Sequence, residues 1–456
     1  MALPKAEPTE ADEESDPPVV CIDNGGDTVK LGTLADGDGP RVHRNARGRT
    51  ASSVTGRGQR AVVTEAIGAA IDALPYGPGV PVRLQRPVDR GLLTRWDLQV
   101  EIWSQLLHKE GIDLAGAYVC LTLPPLCPFA LVERALRVMF EHYGVAALSV
   151  STPAQAALAH DDDRISTGAL ATSVVEPGCG LVLDTGFSFS HAVPVVQGTV
   201  LNYAVRRLDV GGNVLTHYLK EQISYRAWNM MDEAYLVNRI KERMCYVSDD
   251  VAVELECGRR DRPHAQRSYV LPTYTESSAS TTHRWGFVAG DDDAPTAVDE
   301  GDASTDDWQV LTLSNERFLV PEMLFSPREV LSLPQCGVAE LVMQSLERVP
   351  RALWPALLRR VLLVGGNVCL PGFVERFQRE LRALAPANMP VQVRVAGCDP
   401  SWTPREDASA PVLAAWRGLR VLARTNRQRP DGGFWLRREE YRPDGSARAR
   451  ALWHGL

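Results

Sequence analysis

The stretch that decides the fold is Leu181-Val182-Leu183-Asp184-Thr185-Gly186-Phe187-Ser188-Phe189-Ser190-His191. An apolar run ends on a carboxylate, a glycine permits a tight reversal, and an alternating run from Phe189 to Val195 leads away. This pattern predicts two antiparallel strands with Asp184 at the tip of the turn between them. Such a turn can present free N–H groups and a carboxylate to a phosphate and its metal ion, although the same pattern also suits a plain hairpin.

The same pattern occurs near the N-terminus, in residues 19–32. The apolar run Val19-Val20-Cys21-Ile22 is followed by Asp23, a turn containing Gly25 and Gly26, and a returning run that ends at Gly32. Two Asp-tipped hairpins predict two similar half-domains that face each other across a cleft.

A third glycine turn follows the apolar run Val361-Leu362-Leu363-Val364. Its residues are Gly365-Gly366-Asn367, and a predicted helix begins soon afterwards, beyond Pro371-Gly372. Glycines allow a ligand to approach the backbone, and a helix N-terminus favours an anion or a ribose-phosphate edge. A turn required only by packing is the alternative. The chain has neither GxxxxGK[ST] nor GxGxxG in its strand context, which excludes Walker-type and Rossmann sites.

Composition limits the possible classes of protein. The chain has 456 residues, 45% hydrophobic and 23% charged, which is typical of soluble globular proteins with two to four domains. Its net charge of −8 does not favour a nucleic-acid binder, and no apolar run is long enough to span a membrane. We therefore expect a cytosolic or nuclear protein. The nine cysteines form no CxxC pair and the histidines show no ligand spacing, so neither a disulfide framework nor a structural metal is expected.

Strands and helices alternate along most of the chain, which predicts an α/β fold. Residues 1–18 are predicted to be a disordered acidic tail, and the polar stretch from Asp36 to Arg60 a loop. The segment from Asp249 to Asp307 is predicted to be an insertion with little structure of its own.

Taken together, the three turns resemble those of the actin superfamily. Asp23-Asn24-Gly25 with Lys30 is similar to the family's first phosphate loop, and Asp184-Thr185-Gly186 with His191 to the second. Further similarity lies in the adenosine-side glycine turn and in the helix whose Lys and Glu contact base and ribose. The nucleotide-binding residues that the resemblance implies are Asp23, Asn24, Gly25, Thr28, Lys30, Asp184, Thr185, Gly186, Lys241, Glu242, Gly365, Gly366 and Asn367.

The implied fold is the actin-like two-lobed nucleotide clamp with ribonuclease-H-like subdomains that is shared with Hsp70 and sugar kinases. ATP or ADP would bind with Mg, which Asp23 and Asp184 would hold through water. Subdomain 1 would comprise residues 19–46, 86–178 and 400–456, and an abbreviated subdomain 2 residues 47–85. Subdomain 3 would comprise residues 179–210 and 308–399, and subdomain 4 residues 211–307 with the acidic insertion 249–307.

Within the superfamily the chain resembles the nuclear actin-related protein six family most closely. The similarity is carried by Ile223-Ser224-Tyr225-Arg226, Cys245-Tyr246-Val247-Ser248, Tyr269-Val270-Leu271-Pro272 and Trp435-Leu436-Arg437-Arg438-Glu439-Glu440-Tyr441, among other segments. The resemblance implies a subunit of SWR/SRCAP-type remodelling complexes, which place a variant histone in nucleosomes. It also implies a nuclear location, with a remodelling ATPase, a HIT-type zinc-finger subunit and other complex members as partners, and nucleosome contact through the complex.

Two departures from the family pattern concern the phosphates. Gly26 and Asp27 stand where the family usually has a phosphate-binding Ser and a Gly, and Asp27 would repel a phosphate unless its side chain turns away. Phe187-Ser188 replaces an Asp-Gly pair. A weaker grip on the terminal phosphate is therefore expected, and Gln155 and His191 stay only as residual catalytic candidates.

Three hypotheses follow. The favoured one is a non-catalytic complex subunit in which nucleotide stabilises the two lobes. A slow ATPase that uses Gln155, His191 and the two aspartates Asp23 and Asp184 is the second, and a filament-forming cytoskeletal protein is the third. Filaments are not expected, because residues 47–86 lack a recognisable DNase-binding loop.

Two charged segments and four tryptophans could serve binding, but each also suits a purely structural role. The acidic stretch from Asp291 to Asp307 is expected to be a solvated loop rather than a histone-tail site. The C-terminal arginines offer a minor possibility of DNA contact, and the tryptophans are expected to anchor the core. The arginines are Arg417, Arg420, Arg424, Arg427 and Arg429, and the tryptophans Trp96, Trp103, Trp416 and Trp435.

Overall fold

The structure is a computed structural model that describes residues 17–37, 39–52, 62–74, 81–169, 176–227, 229–260, 265–272, 285–290, 309–399, 401–404, 407–428, 433–442 and 447–453. Most of the predicted acidic tail, the acidic stretch from Asp291 to Asp307 and Arg429 lie outside these residues.

The strands of the described part follow one another in short runs that are mostly apolar. They are β1 (Val19–Asn24), β2 (Thr28–Thr33), β3 (Arg41–Arg44), β4 (Arg47–Ser52), β5 (Val62–Ile67), β6 (Arg83–Gln85), β7 (Val88–Asp89), β8 (Leu92–Leu93), β9 (Tyr118–Thr122), β10 (Ala147–Ser151), β11 (Gly180–Thr185), β12 (Ser190–Val196), β13 (Thr199–Val200), β14 (Arg206–Leu208), β15 (Arg267–Val270), β16 (Phe287–Val288), β17 (Val310–Leu313), β18 (Val361–Val364), β19 (Val393–Val395) and β20 (Leu436–Arg437).

The helices lie between them. They are α1 (Trp96–Glu110), α2 (Phe129–Arg137), α3 (Pro153–Ser166), α4 (Gly212–Arg226), α5 (Ala234–Met244), α6 (Val251–Arg260), α7 (Glu316–Glu322), α8 (Pro327–Leu331), α9 (Val338–Leu346), α10 (Trp354–Leu358), α11 (Phe373–Leu384), α12 (Ala410–Arg427) and α13 (Ala447–Trp453). None of these described helices has the length and apolar character needed to cross a membrane.

Two main sheets share one topology, as the two hairpins predict. The first has the order β20-β10-β9-β1-β2-β3, in which β1 is antiparallel to β2 and parallel to β9. The second has the order β13-β12-β11-β18-β19, in which β11 is antiparallel to β12 and parallel to β18. In each sheet an antiparallel hairpin therefore lies beside parallel strands. This repetition gives the molecule two lobes, a small one around β1 and a large one around β11.

Helices α3 and α12 join the lobes. Gly418 of α12 lies so close to Ala156 of α3 that a side chain at position 418 would overlap the carbonyl oxygen of Ala156. The indole of Trp416 donates to the carbonyl of Cys21 in β1 at 3.0 Å. On the other side Ala154, Leu158 and Ala414 pack against the apolar face of β11 and β18. This apolar layer fixes the base of the cleft between the lobes, because it contacts both sheets.

Two predictions of unstructured segments are wrong for the part of each segment that the structure describes. In its described residues the stretch from Asp36 to Arg60 contains β3 and β4, which are ordered by backbone pairing with β2 and with β5. Ion pairs accompany this pairing: Arg41 and Glu110 are 2.9 Å apart, and Arg49 and Glu65 2.7 Å. The prediction for Asp249 to Asp307 is wrong for the described residues 249–260, 265–272 and 285–290, which contain α6, β15 and β16, and β15 pairs with β17 beyond the insertion. Composition misled the prediction, since pairing partners outside a polar segment can order it.

Other predictions of the core are confirmed. The four tryptophans Trp96, Trp103, Trp416 and Trp435 are all buried. All nine cysteines are free, and most are buried. The subdomain limits stay a prediction.

Candidate functional site

The first Asp-tipped turn holds its carboxylate rigidly at the floor of the cleft. Asp23, at the end of β1, is 4% exposed. One carboxylate oxygen accepts a hydrogen bond of 2.7 Å from the hydroxyl of Thr122, and the other lies 3.0 Å from Nζ of Lys30. Lys30 follows on β2, directly opposite Asp23 in the strand register. The hairpin therefore places one negative and one positive charge together at the same point of the cleft.

The second turn is held by the N-terminus of α4. The carbonyl oxygens of Gly186 and Phe187 accept hydrogen bonds from the N–H groups of Gly212 and Asn213, at 3.0 and 2.8 Å. Asp184 precedes this turn, and its carboxylate makes no hydrogen bond or ion pair within the described part of the chain. Burial, together with the negative charge of Asp23, raises the pKa of Asp184 to about 7, and Lys30 opposes the shift only in part.

The two aspartates suit a hydrated divalent cation. Carboxylate oxygens are ligands that Mg²⁺ prefers, and Mg²⁺ usually keeps several waters. A cation between Asp23 and Asp184 would offset the uncompensated charge that the raised pKa reflects. The described residues contain no group of three or more His, Cys, Asp or Glu side chains that could hold a metal without such help.

The third turn is fastened to the second. Gly365 has φ of +100°, and a Cβ atom there would overlap the carbonyl oxygen of Thr185, so this position requires glycine. The amide of Asn367 donates to the carbonyl of Gly186 at 2.8 Å and to the hydroxyl of Thr185 at 3.1 Å. The ends of β11 and β18 therefore form one rigid edge.

Helix α5 forms another wall. Nζ of Lys241 donates three hydrogen bonds of 2.9 Å, to the carbonyl of Gly212, the hydroxyl of Thr216 and the amide oxygen of Asn238. These acceptors occupy all three of its hydrogens. Burial lowers the pKa of Lys241, although the nearby charge of Glu242 opposes the shift. Glu242 is exposed, and its carboxylate accepts a hydrogen bond of 2.7 Å from the side-chain amide of Asn238.

These turns and walls enclose a cavity of about 1000 Å³ between the lobes. The predicted residues that line it are Asp23, Asn24, Gly25, Thr28, Lys30, Asp184, Gly186, Lys241, Glu242, Gly365, Gly366 and Asn367. Thr185 does not line the cavity, because its side chain is buried beneath the second turn.

The two residual catalytic candidates also lie outside the cavity lining. The side-chain amide of Gln155 donates to the carbonyl of Gly198 at 2.7 Å, and its oxygen lies 3.0 Å from the hydroxyl of Ser151. His191 is 1% exposed and its ring lies 4.1 Å from that of Phe189, centroid to centroid. Burial, reinforced by the charge of Arg207, lowers the pKa of His191 to about 3, so the ring is neutral at physiological pH.

Asp27, which the sequence suggested would repel a phosphate, has its charge balanced. Its two carboxylate oxygens lie 2.6 Å from Arg44 and 2.8 Å from Arg86. Burial alone would raise the pKa of Asp27, but the charges of Arg86 and Arg44 outweigh it and hold that pKa below its usual value. The negative charge of this carboxylate is therefore compensated by arginines inside the small lobe.

Three aromatic residues of the large lobe reach the small lobe, and sequence reasoning missed these contacts. The guanidinium of Arg86 lies over the ring of Phe187, 4.5 Å from its centroid. Phe189 fills the space in front of Gly91, where a Cβ atom would overlap its ring. At another part of the cleft, the hydroxyl of Tyr235 contacts Asp72, which follows β5. The lobes are therefore closed against each other by side chains as well as by the helices beneath the cleft.

These features define a class of protein: two like sheets with a cleft between them, an Asp-tipped hairpin in each sheet, and a glycine turn beside the second hairpin. This is the two-lobed clamp of the actin, Hsp70 and sugar-kinase superfamily.

Comparison with known proteins narrows the class. The family model for actin matches residues 14–451. Actin-related protein 6 of Oryza sativa subsp. indica is 34% identical over 458 residues, which cover 95% of this chain and 97% of the rice protein. Actin-related protein 6 of Arabidopsis thaliana is 32% identical over 448 residues, which cover 95% of this chain and 98% of the Arabidopsis protein. Actin-related protein 6 of Drosophila melanogaster is 34% identical over 415 residues, which cover 89% of this chain and 92% of the fly protein. The chain belongs to the actin family and, within it, to the actin-related protein 6 group.

Proposed function

We propose that the protein is a nucleotide-binding, non-hydrolysing subunit of a SWR/SRCAP-type chromatin-remodelling complex, which deposits a variant histone in nucleosomes. In this role it works in the nucleus as a scaffold whose lobes are stabilised by bound ATP or ADP with Mg. The likeness to actin-related protein 6 supports the placement in such a complex.

The cavity supports nucleotide binding. Its volume of about 1000 Å³ is that of a large ligand site, and apolar and polar groups both line it. Gly25, Thr28 and Lys30 would face the phosphates from the small lobe, with Gly186 opposite them. Asp23 and Asp184 would hold Mg²⁺ through water, and the ion would neutralise phosphate charge. The base and ribose would lie by Glu242 and the glycine turn at Gly365. Lys241 would have to give up one of its three hydrogen bonds to contact them.

One observation supports the proposed absence of hydrolysis: both candidates for orienting an attacking water lie outside the cavity. Gln155 is committed to Ser151 and Gly198, and His191 is buried, neutral and covered by Phe189. A water that attacks a phosphate must be positioned within hydrogen-bond reach of such a group. The slow-ATPase alternative therefore requires a rearrangement of both side chains.

The scaffold role assigns the outer surfaces to partners. These would be a remodelling ATPase, a HIT-type zinc-finger subunit and other members of the complex, with nucleosome contact through the assembly and no filament formation. Two of the C-terminal arginines are partly engaged within the fold, since Arg420 donates to the carbonyl of Gly37 at 2.7 Å and Arg427 to that of Pro17 at 3.4 Å. This weakens the case for DNA contact through them.

Co-purification from cells, followed by mass spectrometry and by extraction of bound nucleotide, tests the proposal. We expect a remodelling ATPase and its accessory subunits in the purified fraction, and ATP or ADP in the extract. Recovery of the chain without any remodelling subunit would contradict the complex role. Sedimentation in magnesium and ATP tests the filament alternative. Protein in the pellet would favour filaments over the scaffold role.

A further inference from the structure

The two phosphate-side turns meet at one point, where Gly26 of the first turn faces Ser188 of the second. A Cβ atom at position 26 would lie 2.5 Å from Oγ of Ser188 and 3.5 Å from Cδ1 of Phe187. Real Cβ atoms do not approach other atoms to 2.5 Å, so the Ser188 hydroxyl occupies the space that a side chain at position 26 would need. The large lobe thus supplies a hydroxyl where the small lobe has a bare backbone.

The backbone around Ser188 fixes this hydroxyl. A Cβ atom at Gly211 would lie 2.7 Å from the carbonyl carbon of Ser188 and 2.5 Å from the N atom of Phe189. The preceding carbonyls of Gly186 and Phe187 accept from the first N–H groups of α4, as described above. Ser188 is therefore held by backbone contacts on an element whose position the core determines.

The hydroxyl itself is free to bind a ligand. Ser188 lines the cavity, is only partly exposed, and its side chain makes no hydrogen bond within the described part of the chain. The same end of the cavity contains Gly25, Thr28 and Lys30, and the nearby carboxylate of Asp27 is paired with Arg44 and Arg86. A hydroxyl donor in this setting suits an oxygen of a phosphate group.

We propose that Ser188 binds the phosphate chain of the nucleotide and replaces, from the opposite lobe, the side chain that position 26 lacks. This inference rests on the proposed nucleotide binding. It gives Phe187-Ser188 a binding role, whereas the sequence suggested that this pair only weakens the grip on phosphate. Since Ser188 and Gly26 belong to different lobes, the bound phosphate would contact both of them at this one point.

Isothermal titration of the full chain with Mg·ADP and with Mg·ATP tests the proposal. Ser188→Ala removes the hydroxyl, and we expect it to weaken nucleotide binding about 10- to 100-fold, as for a hydrogen bond to a charged group. Ser188→Thr keeps the hydroxyl and is expected to stay within about threefold of wild type. Ser401→Ala, at an exposed serine outside the cavity lining, is the matched control.

An exchange between the two positions tests the geometry. The double variant Gly26→Ser with Ser188→Ala returns a hydroxyl to the same space from the other lobe, and we expect it to recover most of the lost affinity. Equal affinity of Ser188→Ala and wild type would overturn the inference and leave the proposed function standing. So would a folded double variant that recovers nothing. A wild-type chain that binds neither nucleotide would instead overturn the nucleotide binding on which the inference rests.

Discussion

His191 gives the sharpest prediction of stability against pH. Its pKa is about 3 in the folded protein, against 6.5 for an ordinary histidine. Between these values the unfolded chain binds a proton that the folded protein does not, so the histidine's contribution to stability falls as pH falls through this range. From pH 7 to pH 5 the expected loss is about 2 kcal/mol of unfolding free energy, because each pH unit within the window is worth about 1.4 kcal/mol.

The perturbation is His191→Gln, which removes the titrating ring. We expect the absolute stability of the variant to change because a buried ring is lost, but its decline between pH 7 and pH 5 should be smaller than that of wild type by about 2 kcal/mol. Urea unfolding at both pH values measures the difference. His142→Gln, the same substitution at an exposed position, should leave the decline of wild type intact. An identical decline in wild type and His191→Gln would contradict this prediction, because it would show that the buried ring is protonated or hydrated in the folded state.

The contacts between the lobes give two further predictions. Gly91 has φ of +79° and no room for a side chain in front of Phe189, so Gly91→Ala is expected to lower the unfolding free energy by about 2–5 kcal/mol. Adding Phe189→Ala should recover part of this loss in urea unfolding, and fully additive losses would show that the ring is not the obstacle. Tyr235→Phe removes the hydroxyl that contacts Asp72 and should speed the release of a fluorescent ADP analogue severalfold in stopped-flow measurements, as loss of a hydrogen bond of about 1 kcal/mol does. Tyr225→Phe, at a ring that is 92% exposed, is the control, and equal release rates in the two variants would argue against closure through Tyr235.

Local pattern was enough to predict the two hairpins and their tips. The run that ends at Asp184 and the run that ends at Asp23 are each followed by a glycine turn, and these signals lie within a few residues of each other. The parallel partners of each hairpin, and hence the two like lobes, follow from repeating this unit. The third turn was also predictable, since its glycines come directly after a buried strand.

The charge pairing inside the small lobe could not be predicted in this way. Asp27 meets Arg44 and Arg86, which lie 17 and 59 residues away in the sequence. The segment from Asp36 to Arg60 looked like a loop because its polar residues were considered without the strands they pair with, which are β2 and β5.

Gln155 shows the limit of motif reasoning. The motif places this residue on α3, but neighbouring groups decide where its side chain points, and here they are Ser151 and the carbonyl of Gly198. The role of Phe187-Ser188 has the same origin. Replacement of the family residues signalled a loss, whereas the packing of Ser188 against Gly26 is visible only in three dimensions.

Single-turnover hydrolysis tests the central claim most directly, namely that the cleft holds nucleotide without turning it over. The full chain is loaded with Mg·ATP, freed of excess nucleotide, and the bound nucleotide is analysed over time for wild type and Gln155→Ala. We predict that bound ATP is recovered intact from both proteins. Hydrolysis of the bound ATP by wild type would contradict the claim, and its loss in Gln155→Ala would show that Gln155 leaves Ser151 and Gly198 and reaches the phosphates.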